Sequence, residues 1–233
     1  EAINSKNIEG ITAEFVKIGS ITMEQLLKYD VILDRISQDV PYYRAMLKYA
    51  ALQGVRVVNN PFWWTADDKY FNYALAHRIG VPVPRTALIP SCQHPPDTTS
   101  ESFRNLMYPL NWDEVFNYIG FPAFFKPFSG GGWKHVYKVN DPTEFFDAYH
   151  RTGQLVMTLQ EAIEFTEYYR CYVIGKKYVH IMPYEPRNAH HLRYMAGFSL
   201  SKQRREQLEA YCLKISEALG YEFNTIEFAV RDN

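Results

Sequence analysis

Cysteine is scarce in this sequence, with three residues among 233. Cys92, Cys171 and Cys212 are far apart, and none belongs to a C-x-x-C pair, which argues against a zinc site built on paired cysteines. An odd number of unclustered cysteines also argues against a disulfide framework and is typical of a reducing compartment. We therefore predict a cytoplasmic protein.

An excess of charge of either sign is also missing. The 25 Lys and Arg side chains oppose 26 Asp and Glu side chains, for a net charge of −1, whereas binding to nucleic acid or to an anionic membrane draws on a basic excess. No apolar run approaches the about 18 residues of a membrane-spanning helix, and no charged-then-apolar leader opens the chain. We expect neither nucleic acid nor a membrane as a partner, and homo-oligomerisation is left open.

The composition is that of a globular protein, with 47% hydrophobic and 22% charged residues. Strand and helix patterns alternate up to about residue 90, including an expected strand at 11–18 and a short helix at 23–27, and hairpin-forming strands dominate afterwards. We predict an α/β lobe at residues 1–90, which includes the first nucleotide helix, and an α+β region at 91–233. The apolar run at 224–230 lies directly before the last residues, so we expect the C-terminal part to be incomplete.

A helix signal covers residues 65–79. Thr65 precedes Asp68 by three positions, the spacing of a capping box, and Gly80 provides the helix stop. Lys69 lies in the first turn. The apolar positions at helical spacing, which we expect to form the buried face, are Phe71, Ala74, Leu75 and Ile79. A second helix is predicted to begin at Asp141-Pro142-Thr143-Glu144, with Asp141 as its cap, and to end at Gly153.

The most informative stretch reads F-F-K-P-F-S-G-G-G-W-K-H-V-Y-K-V, from Phe124 to Val139. A strand carries Lys126, and the glycines after Ser129 let backbone N–H groups approach an anion. The pattern lacks the G-K-S/T of a Walker A loop, and no helix begins at the glycines as in a dinucleotide-binding turn. A glycine lid over phosphates fits, and an ordinary flexible hairpin with an exposed lysine is the alternative.

Five segments, one of which overlaps this stretch, resemble the ATP-grasp superfamily, especially the carboxylate–amine ligases typified by D-alanine–D-alanine ligase, glutathione synthetase and the ribosomal-protein glutamate ligases. D-D-K-Y-F-N-Y-A-L-A-H-R-I-G-V-P-V-P is similar to the family's first nucleotide helix, and F-P-A-F-F-K-P to its lysine strand. V-M-T-L-Q-E-A-I resembles the adenine-binding linker, E-Y-Y-R-C-Y-V-I-G-K-K-Y-V a family hairpin, and N-T-I-E-F-A-V-R-D a metal-binding strand. The resemblance implies an N-terminal α/β lobe followed by two α+β subdomains that clamp the nucleotide.

The resemblance also implies ATP and Mg²⁺ as cofactors and assigns residues to them. The nucleotide residues would be Lys69 and Lys126 at the phosphates, Ser129, Gly130, Gly131 and Gly132 in the lid, Gln160, Glu161, Ala162 and Ile163 at adenine, and Glu167 at the ribose. Glu227 would bind the metal. The chain departs from the family at two points. Tyr168 occupies the position of the usual ribose acid. After Glu227, only Asp232 and Asn233 could supply the family's second metal-binding acid and its asparagine, and they come too soon in the sequence.

The segment from Pro183 to Tyr194 is dense in Arg, His and Tyr. Ligation of a carboxylate to an amine passes through an acyl phosphate, whose charge needs cationic groups. Arg187 and Arg193 are therefore candidate catalytic residues, and Arg170 could serve the transferred phosphate. A polar surface loop is the alternative for this segment.

These patterns predict an ADP-forming ligase that joins a small-molecule or peptide carboxylate to an amine. A kinase that transfers phosphate to a hydroxyl group, as the inositol phosphate kinases of the superfamily do, is one alternative. A non-enzymatic ATP-binding interaction protein similar to synapsin is the other. A basic pocket would favour the kinase, and a missing second metal strand would favour the interaction protein.

Overall fold

A computed structural model describes residues 2–38, 40–63, 68–195 and 199–231. The chain forms two compact units, Glu1–Pro61 and Phe62–Asn233. The boundary that we predict near residue 90 lies within the second unit, and the division at that position stays a prediction.

The first unit contains a small parallel sheet and one helix. Strands β1 (Val31–Leu33) and β2 (Arg56–Val58) pair in parallel, and helix α1 (Pro41–Leu52) connects them. The expected strand at 11–18 and helix at 23–27 were wrong, because these residues have no regular structure. Their apolar side chains reach the core of the unit without strand pairing; those that pack there include Val16, Ile18 and Leu27.

Helix α2 (Lys69–Arg78) opens the second unit's regular structure, and Asp68 caps it by accepting a hydrogen bond from the Phe71 backbone N–H. The predicted cap at Thr65 lies outside the described residues. The predicted buried face was also wrong, since Phe71 is exposed and Ala76 is the buried residue of the helix. Contacts with residues that are distant in sequence determine which side of the helix is buried, and the spacing of apolar residues within the helix does not predict those contacts.

A four-stranded antiparallel sheet follows, with strand order β3-β6-β4-β5. Its strands are β3 (Thr86–Ile89), β4 (Ala123–Pro127), β5 (Tyr137–Val139) and β6 (Met157–Glu161). Helices α3 (Trp112–Ile119) and α4 (Pro142–Thr152) contribute to the core on one face of this sheet. The predicted cap of α4 is confirmed, because the Asp141 side chain accepts a hydrogen bond from the Glu144 backbone N–H.

A three-stranded antiparallel sheet of order β8-β7-β9 and the long helix α5 (Lys202–Leu219) form the last part. The strands are β7 (Glu167–Ile174), β8 (Tyr178–Pro183) and β9 (Phe223–Val230). Odd-numbered residues of β7, such as Cys171 and Val173, are buried in a core that also contains Leu208 and Cys212 of α5. Even-numbered residues of β7 therefore lie on the other face.

Membrane insertion through a helix has no support in the described part of the chain, where every helix is too short or too polar to cross a bilayer.

Candidate active site

One face of the four-stranded sheet carries polar side chains opposite the apolar core. Ala123 and Phe125 of β4 are fully buried in that core, so Lys126, one position further along, points to the opposite face. Residue pairing across the sheet places Thr86 beside Gln160 and Lys126 beside Thr158 on this same face. We call these four residues, with Phe124, the lysine face.

Lys126 is half-buried and has neutral neighbours. Its Nζ donates a hydrogen bond of 2.8 Å to Gln160 Oε1 and lies 5.5 Å from the ring centre of Tyr73 on α2. Across residues 2–38, 40–63, 68–195 and 199–231, no carboxylate forms an ion pair with this ammonium. A bound anion would therefore meet an ammonium group that no carboxylate of these residues neutralises.

Lys69 is the first residue of α2 and joins that helix to the glycine segment. Its backbone N–H donates a 2.7 Å hydrogen bond to the Phe128 carbonyl, and its Nζ donates a 2.5 Å hydrogen bond to the Gly130 carbonyl. Tyr73, one turn further along α2, lies 5.5 Å from Lys126 Nζ. Helix α2 therefore contacts both the glycine segment and Lys126, and the roles of the two lysines at phosphate stay predictions.

The segment Ser129–Gly132 connects the antiparallel strands β4 and β5, as expected for a hairpin lid. Gly130 and Gly132 adopt φ angles of +79° and +72°, which side chains with a Cβ rarely adopt. Among the described residues, no atom outside the neighbouring residues lies within 4 Å of a Cβ built on Gly130, Gly131 or Gly132. The space around these Cβ positions is open, and the role of the segment as a lid stays a prediction.

The predicted adenine edge lies at the end of β6. The Glu161 and Ala162 backbone N–H groups donate to the carbonyls of Arg85 and Pro122, at 3.0 and 3.1 Å. Because these two N–H groups are already used, adenine would have to be bound by Ile163 and by carbonyl groups. The assignment of residues 160–163 to adenine stays a prediction.

The Glu161 side chain has a different role, because it accepts hydrogen bonds from Arg85. The Arg85 Nε and Nη2 atoms lie 2.8 and 2.7 Å from Glu161 Oε2. Burial raises the pKa of Glu161, but the bonds from Arg85 outweigh this and lower its pKa overall. This ion pair fixes the start of β3 against the end of β6.

The exposed face of the three-stranded sheet holds an arginine and a carboxylate side by side. Arg170 of β7 lies opposite Glu227 of β9, with 3.7 Å between Arg170 Nε and Glu227 Oε1. Tyr168 donates a 2.6 Å hydrogen bond to Glu227 Oε2. Burial, the Glu227 carboxylate and Tyr73 all raise the pKa of Tyr168, so the phenol stays protonated. Tyr73 thus lies near both Lys126 and Tyr168 and links the two polar faces.

Arg170 is surrounded by tyrosine rings. Its guanidinium carbon lies 5.4 Å from the ring centre of Tyr184 and 5.9 Å from those of Tyr172 and Tyr194. Burial lowers the pKa of Arg170, but Glu227 and the tyrosines raise it by more, so the net shift is upward. The side chain is a permanent, partly desolvated cation, and its predicted role at phosphate stays a prediction.

Glu167 lies on the other face of β7 from Arg170. Its carboxylate accepts a 2.7 Å hydrogen bond from the Tyr169 hydroxyl and lies 3.9 Å from Arg204 Nε of α5. This placement on the α5 side does not favour the ribose role of Glu167, which stays a prediction. Tyr168 is the residue of this pair that faces Glu227.

Arg187 and Arg193 lie in the segment after β8, where both make local contacts. Arg187 is exposed, forms two 2.6 Å hydrogen bonds with Glu185, and lies over the Phe165 ring at 4.6 Å. Arg193 donates to the Asn188 carbonyl and to the Tyr184 hydroxyl. Tyr184 therefore connects Arg193 to Arg170, whereas Arg187 is engaged by its own neighbour; the catalytic roles of both stay predictions.

Four contact residues of these faces were given no role from the sequence. Tyr73 lies four positions after Lys69, a spacing that places both on one side of a helix. Tyr168 and Tyr172 alternate with Arg170 at the period of a strand, which places all three on one face. Thr86 offered no local signal, because its pairing with Gln160 depends on strand register.

The described residues offer few side-chain ligands for a divalent cation. They contain no group of three or more His, Cys, Asp or Glu side chains that could hold a metal ion. Glu227 is a single carboxylate, and its oxygens already contact Tyr168 and Arg170. One carboxylate fits Mg²⁺ only when nucleotide phosphates supply further oxygens, and the candidate ligands Asp232 and Asn233 lie outside the described residues.

Searches with protein-family models and among curated proteins found no match to this chain. Solved structures do match. N5-carboxyaminoimidazole ribonucleotide synthetase from Thermus thermophilus has a TM-score of 0.64 at 17% identity, covering 86% of this chain and 51% of that one. D-alanine–D-alanine ligase from Bacillus anthracis complexed with ATP has a TM-score of 0.62 at 16% identity, covering 88% and 64%.

A third similar structure is the ATP-grasp ligase PsnB complexed with a minimal precursor, with a TM-score of 0.54 at 18% identity, covering 81% of this chain and 55% of that one. The chain thus spans between half and two thirds of the length of each of these structures. At such identities the likeness concerns the fold alone. The chain has an ATP-grasp fold.

Proposed function

We propose that this protein is an ATP-dependent ligase that joins a carboxylate to an amine and releases ADP and phosphate. The observation that carries the proposal is that helix α2 contacts both the glycine segment and Lys126 in an ATP-grasp fold, through the hydrogen bond from Lys69 Nζ to the Gly130 carbonyl and the Tyr73 ring 5.5 Å from Lys126 Nζ. Two ammonium groups and the glycine N–H groups supply the positive charge that a triphosphate needs.

The proposed reaction has two steps. A carboxylate oxygen of the first substrate attacks the γ-phosphorus of ATP, forms an acyl phosphate and displaces ADP. The amine nitrogen then attacks the acyl carbon, the C–O bond to phosphate breaks, and the nitrogen loses a proton. Negative charge accumulates on phosphoryl oxygens in both steps, so fixed cations near them lower the barrier.

The chain's own residues divide this work between the two faces. Lys126 and Lys69 would hold the nucleotide phosphates, and Arg170, which Glu227 and the tyrosines hold in place, would face the transferred phosphoryl group. Arg193 would support Arg170 through the Tyr184 hydroxyl. Glu227 would hold Mg²⁺, which when bound supplies Lewis-acid stabilisation of phosphate oxygens.

The substrates are proposed only by class. The similar structures include a D-alanine–D-alanine ligase with ATP and an ATP-grasp ligase with a precursor, so both small-molecule and peptide carboxylates are candidates. A cytoplasmic location stays a prediction from the sequence. Transfer of phosphate to a hydroxyl, and nucleotide binding without catalysis, are the alternatives that the experiments below separate.

ATP or ADP with Mg²⁺ is expected to raise the melting temperature of the protein, because a ligand that binds only the native state stabilises it. A ligand at 100 times its dissociation constant contributes about 2.7 kcal/mol, which for a chain of this size corresponds to a shift of about 5–10 °C. Differential scanning fluorimetry with ATP, ADP, GTP and buffer is the measurement. No response to either adenine nucleotide would contradict the proposal.

Release of ADP and phosphate is expected only when a carboxylate and an amine are both present, because each substrate takes part in one step. A coupled ADP assay over panels of amino acids and short peptides, with mass spectrometry of the products, tests this. A product with a new amide bond supports the ligase. A stable phosphate ester would establish the kinase, and binding of ATP without turnover on any panel would favour the interaction protein.

A further inference from the structure

The side chain of Gln160 is the strongest unassigned feature of the lysine face. The resemblance assigns only a backbone role to this position, yet the side chain is buried, with 6% of its surface exposed. A buried amide needs partners for both its oxygen and its nitrogen. Gln160 has both, because Oε1 accepts from Lys126 Nζ at 2.8 Å and Nε2 donates to Thr86 Oγ1 at 2.8 Å.

Thr86 fixes the direction of this chain of hydrogen bonds. Its hydroxyl donates a 2.9 Å hydrogen bond to the Pro84 carbonyl, so the hydrogen of that hydroxyl is used and its oxygen is left to accept. The oxygen accepts from Gln160 Nε2, which turns Gln160 Oε1 toward Lys126. Each group in the sequence Pro84, Thr86, Gln160 and Lys126 thus has one compatible orientation.

A neutral acceptor has a specific consequence for the lysine. A carboxylate at this position would hold the ammonium and also cancel its charge, whereas an amide oxygen holds it and leaves the charge for another anion. The ring of Tyr73, 5.5 Å from Nζ, likewise positions the ammonium without neutralising it. The neighbours of Lys126 therefore suit a lysine that must meet a polyanion.

We infer that Gln160, oriented by Thr86, is a positioning residue that aims Lys126 at the phosphates of the nucleotide without neutralising it. This inference rests on the proposed function and adds a side chain that acts through the lysine. The amide lowers the conformational entropy that the lysine loses when ATP binds, because the ammonium is already held. It also makes the identity of residue 160 a determinant of nucleotide affinity.

The inference predicts how two substitutions differ from a matched control. Gln160→Glu is expected to weaken ATP binding about tenfold, because a carboxylate neutralises Lys126 and repels phosphate. Gln160→Met, which keeps the length and loses the acceptor, is expected to weaken it about threefold to tenfold. Gln207→Glu, which adds the same charge on an exposed position of α5, is expected to leave ATP affinity unchanged. Isothermal titration calorimetry with ATP and Mg²⁺ measures the ATP affinity of the wild-type protein and of the three variants.

A double-mutant cycle separates positioning from a general effect on the fold. If Gln160 acts through Lys126, the uncharged Gln160→Met has no further effect on ATP binding in a Lys126→Ala background. Thr86→Ser, which keeps the hydroxyl, is expected to retain ATP affinity better than Thr86→Val, and this pair carries the test if the Gln160 variants do not fold. Circular dichroism checks each variant.

Failure of the inference is distinct from failure of the proposed function. A wild-type protein that does not bind ATP overturns the proposed function and this inference with it. A wild-type protein that binds ATP while Gln160→Glu and Gln160→Met bind equally well overturns the inference alone. Equal losses from Gln160→Met with and without Lys126 would also overturn it, because the residue would then act independently of the lysine.

Discussion

Replacement of Lys126 by alanine is expected to raise the dissociation constant of ATP about tenfold to hundredfold. A hydrogen bond to a charged group contributes about 1.5–3 kcal/mol, which corresponds to that range. The ammonium lies on the lysine face, beside the glycine segment, and its neighbours there are neutral groups. Its charge is therefore available to phosphate, and its removal leaves Lys69 and the glycine N–H groups to hold the triphosphate.

The Lys126→Ala protein is expected to fold. The lysine lies opposite the core rather than within it, so its removal leaves no apolar cavity there. The Gln160 amide oxygen loses its donor, which costs about 1–3 kcal/mol if water does not replace the ammonium. Lys126→Arg is expected to restore ATP binding poorly, because a planar guanidinium cannot replace a compact ammonium between Gln160 and Tyr73.

Titration of ATP into wild type, Lys126→Ala and Lys126→Arg measures these effects, with circular dichroism to confirm folding. Lys202→Ala is a matched control, because this lysine is exposed on α5 and its contact with Glu206 is a surface pair. Unchanged ATP affinity in a folded Lys126→Ala protein would show that the lysine does not bind the nucleotide. A protein that fails to fold would assign Lys126 a structural role instead.

Local signals in the sequence predicted the elements of the second unit well. Asp141 followed by Pro142, with Glu144 in the first turn, predicted the start of α4, and Gly153 its end. Hairpin-forming strands were expected after residue 90, and each sheet contains such a hairpin. Caps and strand periodicity act between residues that are close in sequence, so a single sequence reports them.

Features that depend on distant contacts were harder to predict. Apolar residues before β1 suggested a strand, but they reach their core as irregular chain. Helix α2 buries Ala76 instead of the predicted apolar face, because contacts with residues distant in sequence determine which side of the helix is buried. Secondary-structure propensity and hydrophobic periodicity predict an element poorly where tertiary packing favours a different arrangement.

The candidate site also combines features that local sequence predicts with features that depend on distant contacts. Lys69 contacts the glycine segment and Lys126 lies on the strand that leads into it, and their roles at phosphate stay predictions. Glu167 and Tyr168 differ by one position, and in a strand one position reverses the face. The sequence could assign an acid to this region, but only the register with β9 showed that Tyr168 shares a face with Glu227.

Replacement of Phe145 by alanine is expected to lower the free energy of unfolding by about 3–5 kcal/mol, the cost of emptying a large buried aromatic site. Phe145 is fully buried at the centre of the core behind the lysine face. Five aromatic rings have centres 5.0–5.8 Å from its own, those of Trp112, Phe116, Phe125, Phe146 and Tyr149. Packed rings of this kind do not collapse easily into a cavity.

Phe146→Ala is the matched control, since it removes the same side chain from a half-buried position of the same helix. Its cost is expected to be about 1–2 kcal/mol, because less apolar surface returns to water. Urea denaturation followed by circular dichroism and by the fluorescence of Trp112, 5.4 Å from the Phe145 ring, measures both variants. Equal costs for the two substitutions would contradict the view that Phe145 is the centre of this core.

Phe145 and Lys126 should then differ in how their variants respond to ATP. Phe125 contacts Phe145 on the core side of β4, and Lys126, the next residue, faces the opposite way. The Phe145→Ala protein is therefore expected to melt at a lower temperature and still gain several degrees with ATP, because the phosphate contacts remain in its folded fraction. The Lys126→Ala protein is expected to show the reverse, a nearly normal melting temperature and a small response to ATP. A loss of the ATP response in a folded Phe145→Ala protein would show that core packing, and not only the lysine, sets the geometry of the site.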